Sequence, residues 1–222
     1  MKSIVTNGVP QWLCGLVAIG AMSGLMPAAA RGAAQTPYVS GQGYAAAVNL
    51  ATGTQQFAGA ALPPEGGMVD AGVDAAAVTS TLTASTLNSI TTGMADSAVG
   101  SAQTSAEAAD VSILNGLITA RQVLGVAASY VNQQAAGSGA DGSALVDVVV
   151  NGVPLAGTPP PNTRIELAGV GYVVLNEQTP TGNGVTTSGI SVNMIHVVLQ
   201  NALTGLTTGE IVVGSATSAV AF

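Results

Sequence analysis

Hydrophobic and polar positions are patterned most clearly in the C-terminal half. The apolar run ALVDVVV (144–150) is followed by Asn151-Gly152 and then VPLAG (153–157). An Asn-Gly pair between apolar runs predicts a tight hairpin, because both residues tolerate positive φ. Pro154 has no N–H for a ladder, so its strand is expected at a sheet edge. TRIEL (163–167) and GYVVLNE (171–177) flank a Gly-containing step and read as a second hairpin. ISVNMIHVVLQ (190–200) and EIVVGSA (210–216) complete a β-rich half.

The N-terminal half is patterned less cleanly. Residues 31–42 read as a flexible start, GYAAAVNLATG (43–53) as a first strand and LPPEGGMVDAG (62–72) as a turn-rich linker. Residues 31–72 therefore fit an extended N-terminal arm. The segment AAAVTSTLTASTLNSITTG (75–93) alternates only loosely, and 100–132 is rich enough in Ala to pass for a helix. Its β-branched residues, with Gly100, Gly116 and Gly125, favour long strands instead. The expected fold is all-β and mainly antiparallel, a sandwich-like single domain over 31–222. The alternatives are an α+β fold with an Ala-rich helix near 95–110, or a β-solenoid. No fixed-period repeat demands a solenoid, but the Thr-rich alternation is compatible with one.

Composition sharpens this picture. Only 7% of residues are charged and 3% are aromatic, while Gly alone contributes 29 residues. Such a chain suits closely approaching strands better than a helical bundle, which would want more Leu, Glu and Lys. Residues 1–30 read as a secretory signal peptide: Lys2, an apolar run from Trp12 to Pro27, then Ala28-Ala29-Ala30 for cleavage. The run is short for a bilayer span, and no later stretch is long enough for one. Cleavage would remove the only Lys, Cys14 and Trp12, leaving three arginines against eleven carboxylates. A chain this acidic repels nucleic acid and anionic membranes. It would also lack thiol chemistry, although a secreted chain meets an oxidising compartment.

The order of segments is specific. ADVSILNGLITARQV (109–123), VVVNGVPLAGTPPPNTRIELAGVGYVVLNEQ (148–178), VNMIHVVL (192–199) and GEIVVGSATS (209–218) together resemble the bacterial choice-of-anchor P family. The resemblance covers about residues 105–218 and implies a secreted or surface-displayed bacterial protein, with no known activity, substrate or cofactor. The chain departs from the family in two places. The residues up to Phe222 hold no sorting motif. Where the family pattern implies a pair of cysteines, this sequence has Ser129 near the first place and Ser218 at the second.

Three residues are candidates for chemistry. Glu166 and Glu177 form a carboxylate pair that could act as acid and base on a glycan if held at the right separation. More simply, Arg164 and Glu166 share strand parity and pair on a solvated face, while Ile165 and Leu167 point inward. His196 is the only histidine, so a Ser–His–Asp triad or a His-based metal site must use it. It shares parity with Val192, Met194 and Val198, which predicts a structural histidine on a mostly apolar face, bonded to a backbone carbonyl. GSGADGS (137–143) is one isolated copy of a calcium-repeat-like pattern and reads as a turn. TSTLTAST (79–86) could form a hydroxyl ladder. No cofactor or metal is expected. The expected function is a secreted, non-catalytic structural or adhesive scaffold, with extracellular polysaccharide or surface proteins as partners. The alternatives are a glycan hydrolase using Glu166 and Glu177, or a carbohydrate-binding module.

Overall fold

Strand pairing organises nearly all of residues 36–222, the part of the chain that this computed structural model describes. The leader expected over 1–30 lies outside the described residues. The strands are β1 (Tyr38–Leu50), β2 (Gly53–Ala61), β3 (Gly67–Val78), β4 (Leu82–Ala95), β5 (Val99–Ile113), β6 (Ile118–Asn132), β7 (Ala136–Gly139), β8 (Ala144–Val146), β9 (Val149–Val150), β10 (Val153–Pro154), β11 (Thr163–Leu167), β12 (Gly171–Gly182), β13 (Thr187–Gln200) and β14 (Thr207–Ala221). The smaller sheet runs β11-β12-β13-β14-β1-β2, and the larger runs β10-β9-β6-β5-β4-β3, with β7 and β8 also on β6. Every pairing is antiparallel. β1 packs across β4 and β5, and β14 across β5 and β6, so two open sheets face one another. The all-β sandwich reading holds.

Several local expectations hold too. Asn151 and Gly152 take φ of 57° and 79° and turn β9 into β10, which lies at the sheet edge as Pro154 requires. TRIEL and GYVVLNE pair as β11 and β12.

Two expectations fail. The described part of the supposed N-terminal arm is built into both sheets: β1 is hydrogen-bonded on both sides, to β14 and β2, and residues 67–72 begin β3, paired with β4. The supposed helix near 95–110 is strand β5, paired with β4 and β6. Its alanines Ala102, Ala106 and Ala108 are buried between the sheets, while Ser101, Gln103 and Glu107 face out. Packing between two sheets overrides the helix propensity of Ala here.

Side-chain alternation breaks once in each long strand, and the breaks line up across each sheet. In β1 the buried positions are odd up to Ala45 and even from Ala46. In β13 they switch between Met194 and Ile195, and in β14 between Val213 and Gly214. Left-handed residues sit on this line at Ala58, Gly214 and Asn176. The larger sheet has the same line through Thr86, Asp110 and Asp147, all at positive φ. A left-handed residue inside a strand disturbs the pleat, so consecutive side chains fall on one face. Asn and Asp tolerate this conformation, whereas β-branched Thr86 is strained in it.

The line divides the interior. On one side the sheets are filled by large aliphatic side chains, among them Leu82, Ile113, Ile118, Leu175, Ile195 and Ile211, all under 2% exposed. On the other, Gly, Ala, Ser and Thr line much of the space, together with Leu87, Val123, Val192 and Met194 next to the line. Thr91 and Thr104 hydroxyls meet at 2.8 Å, and Ser129 and Ser218 at 2.7 Å across the two sheets. At the boundary Gly125 faces the carbonyl of Gly214 so closely that a Cβ would collide with backbone. A small cluster around Val39, Val131 and Val220 closes the far end.

Candidate functional site

The β12–β13 register sets Glu177 opposite Asn193 and His196 opposite Val174, on the outer face of the smaller sheet. His196 Nδ1 lies 2.9 Å from Glu177 Oε2, the Asn193 amide donates to the same oxygen at 2.7 Å, and Ser215 Oγ donates to Asn193 Oδ1 at 2.8 Å. This corrects the parity argument for His196. The phase change after Met194 turns it away from the core, and its partner is a carboxylate rather than a backbone carbonyl. The bond to His196 lowers the pKa of Glu177, and burial opposes that shift. The bond to Glu177 raises the pKa of His196 against burial, helped by the charges of Glu177 and Glu210. In the neutral ring the proton belongs on Nδ1, facing the carboxylate. Nε2 is buried without a partner among the described residues.

This arrangement differs from a nucleophilic triad. The Ser215 hydroxyl points its proton at an amide oxygen, and an amide separates it from the Glu177–His196 pair. No serine hydroxyl bonds His196 among the described residues. Among those residues there is also no group of three or more His, Cys, Asp or Glu placed to hold a metal ion.

Glu166 stands apart. It pairs with Tyr172, five residues before Glu177 on β12, which is about 17 Å along a strand. A glycosidase pair needs roughly 5–9.5 Å between carboxyls. Glu166 instead accepts from Arg164 Nε at 2.8 Å, as the parity of TRIEL predicts, and the Arg164 guanidinium stacks over Tyr172, 3.6 Å from the ring centre. The two glutamates therefore serve separate local networks.

The proline-rich segment before β11 is fastened to β12 by amides. Asn162 Oδ1 accepts from the N–H of Gln178, and its Nδ2 donates to the Gln178 carbonyl, so one side chain extends the ladder past the end of β11. Asn176 Nδ2 donates to the Pro159 carbonyl at 2.9 Å. Thr163 Oγ1 donates to the Pro160 carbonyl. TPPPNT is thus a clasp beside the Glu177 network, built from backbone-mimicking side chains.

Two other motifs resolve differently. Thr79–Thr81 is a turn, so TSTLTAST does not form one continuous ladder. GSGADGS supplies β7 and a turn in which Ser143 N–H bonds the Ala140 carbonyl. The same turn edges a feature that the sequence did not reveal: an open groove of about 680 Å³ on the outer face of the larger sheet, reaching from β3 to Asp141. Its floor follows the row Thr92–Gln103–Ala128–Gly139 and its wall the row Met94–Ser101–Tyr130–Gly137. Only cross-strand register assembles these residues, and they are scattered in the sequence. No family model, curated protein or solved structure matches the chain.

Proposed function

We propose that the protein is a secreted, non-catalytic scaffold that displays polar strand faces for adhesion at the cell surface or in the extracellular matrix. The observation that carries this reading is the make-up of those faces. Hydroxyls and amides form cross-strand rows with few charges, such as Gln42–Thr217–Ser191–Thr179 on the smaller sheet. Such rows offer many weak, direction-specific hydrogen bonds to another surface, and the long paired strands behind them hold the spacing. The separation of Glu166 from Glu177 supports a display role over hydrolysis by that pair. The leader-like residues 1–30 and the resemblance to a surface family support the location.

The test is genetic. Cells lacking the protein should attach to surfaces or to one another at least severalfold less, with attachment restored by the gene. The protein should also be found outside the cell or on its surface. Unchanged attachment, or a protein retained inside the cell, would overturn the proposal.

A further inference from the structure

The groove on the larger sheet has the chemistry of a ligand site, and we propose that it binds a neutral polysaccharide chain. This rests on the scaffold reading and names what the scaffold grips. Three observations carry it.

The first is an aromatic platform. Tyr130 lies over Gly137 of β7, where any side chain would run into the ring, and it remains 51% exposed. One side of the ring is supported by backbone, which leaves the phenol oriented without burying it. An exposed, oriented ring offers a flat apolar surface to the C–H face of a sugar.

The second is a set of uncommitted polar groups beside it. Among the described residues the Thr92 hydroxyl bonds the Gln103 carbonyl, and the Ser138 hydroxyl bonds the Gly189 carbonyl. The side chains of Ser101, Gln103, Tyr130 and Asp141 have no such partner there. They supply hydroxyl, amide and carboxylate groups that match sugar hydroxyls as donors and acceptors. Ala128 and Gly139 keep the floor low between them.

The third is charge. The lining holds one carboxylate, Asp141, and no cation. An anionic glycan or a phosphorylated ligand would be repelled. A neutral sugar is compatible with the site, and Asp141 can accept hydrogen bonds from paired hydroxyls. The groove is open rather than enclosed, which suits an internal stretch of a polymer better than a free monosaccharide.

The purified folded protein should be run in native gels cast with soluble neutral polysaccharides (a β-glucan, a xylan and a galactomannan) and with anionic polygalacturonate. At least one neutral polymer should retard it, and polygalacturonate should not. Tyr130→Ala and Gln103→Ala should each weaken binding on the order of tenfold. Ala128→Trp should block it by filling the floor, and Glu166→Gln on the other sheet should leave it unchanged. Thermal melts of each variant separate lost binding from lost folding. Failure of every neutral polymer to retard the protein would overturn the proposal, as would retardation unaffected by the three groove variants. Retention on unstructured peptides through the same residues, without glycan binding, would overturn it in favour of a peptide groove. Either failure leaves the attachment test of the scaffold standing on its own.

Discussion

The two halves of the interior hold the same pair of sheets together by different means. In the aliphatic half, branched side chains fill the space between the sheets, and stability comes from apolar area removed from water. In the hydroxyl-rich half many side chains are short, and buried hydroxyls pair both within the larger sheet, at Thr91–Thr104, and between the sheets, at Ser129–Ser218, beside a thinner aliphatic filling. Aliphatic contacts are forgiving in direction, whereas buried hydroxyl pairs fix register because each donor needs its acceptor. The first half is therefore the richer in branched side chains, and the second adds buried hydroxyl pairs that demand a fixed register.

The strongest way to break this comparison is at the boundary and the large core. Leu175→Ala should cost about 3–4 kcal/mol by leaving a cavity. Gly125→Val should cost about 3 kcal/mol, because the added side chain meets the Gly214 backbone and must separate the sheets. Urea unfolding measures both. A small loss at Gly125 would mean the sheets are not held at that spacing.

Next is a replacement of one hydroxyl pair by a covalent bond. The double variant Ser129→Cys with Ser218→Cys should form a disulfide, since the two oxygens already touch across the sheets. Closing a loop between residues 89 apart should raise stability by about 2–4 kcal/mol under oxidising conditions only. Thiol titration and melting with and without reductant check it.

The hydroxyl half makes a sharper prediction at Thr91. Thr91→Val strands the Thr104 hydroxyl and should cost about 1–2 kcal/mol, while Thr91→Val with Thr104→Val should recover most of it. A double variant as unstable as the single would show that the hydroxyls do more than satisfy each other.

The smallest effect is expected on the outer face. Glu177 has a lowered pKa, so its contribution is present above about 4.5 and fades as pH falls through its folded value. His196 has a raised pKa, so its contribution is complete below 6.5 and is lost as pH rises through its folded value. The pair is strongest between these limits. His196→Gln should cost about 1 kcal/mol at roughly pH 6 and less at roughly pH 8.5, read from denaturation midpoints. Equal costs at both pH values would mean the bond does not depend on the charge of the ring.

The hairpins at Asn151-Gly152 and between TRIEL and GYVVLNE were legible because local turn chemistry determines them. The pairing of Arg164 with Glu166 was legible because both lie on one short, unbroken strand. The long strands of the first half were harder to read. Each contains a phase change, so neither a helical nor a two-residue period persists, and the alanines of β5 imitate a helix. His196 was misplaced for the same reason, since parity counted from Val192 through Met194 is invalid beyond that residue. The Glu177–His196 bond and the groove depend on cross-strand register, which no single stretch of sequence encodes.

The aligned breaks in alternation have a consequence for how this chain tolerates change. Each long strand is written in two reading frames, one on either side of the line. Deleting one residue from β13 near Met194 would restore strict alternation to that strand. It would also turn one end inside out against neighbours that still switch frame. Length changes there are punished even where the lost side chain is small, while the same deletion in the Asn201–Leu206 loop shortens a connection and leaves both frames intact.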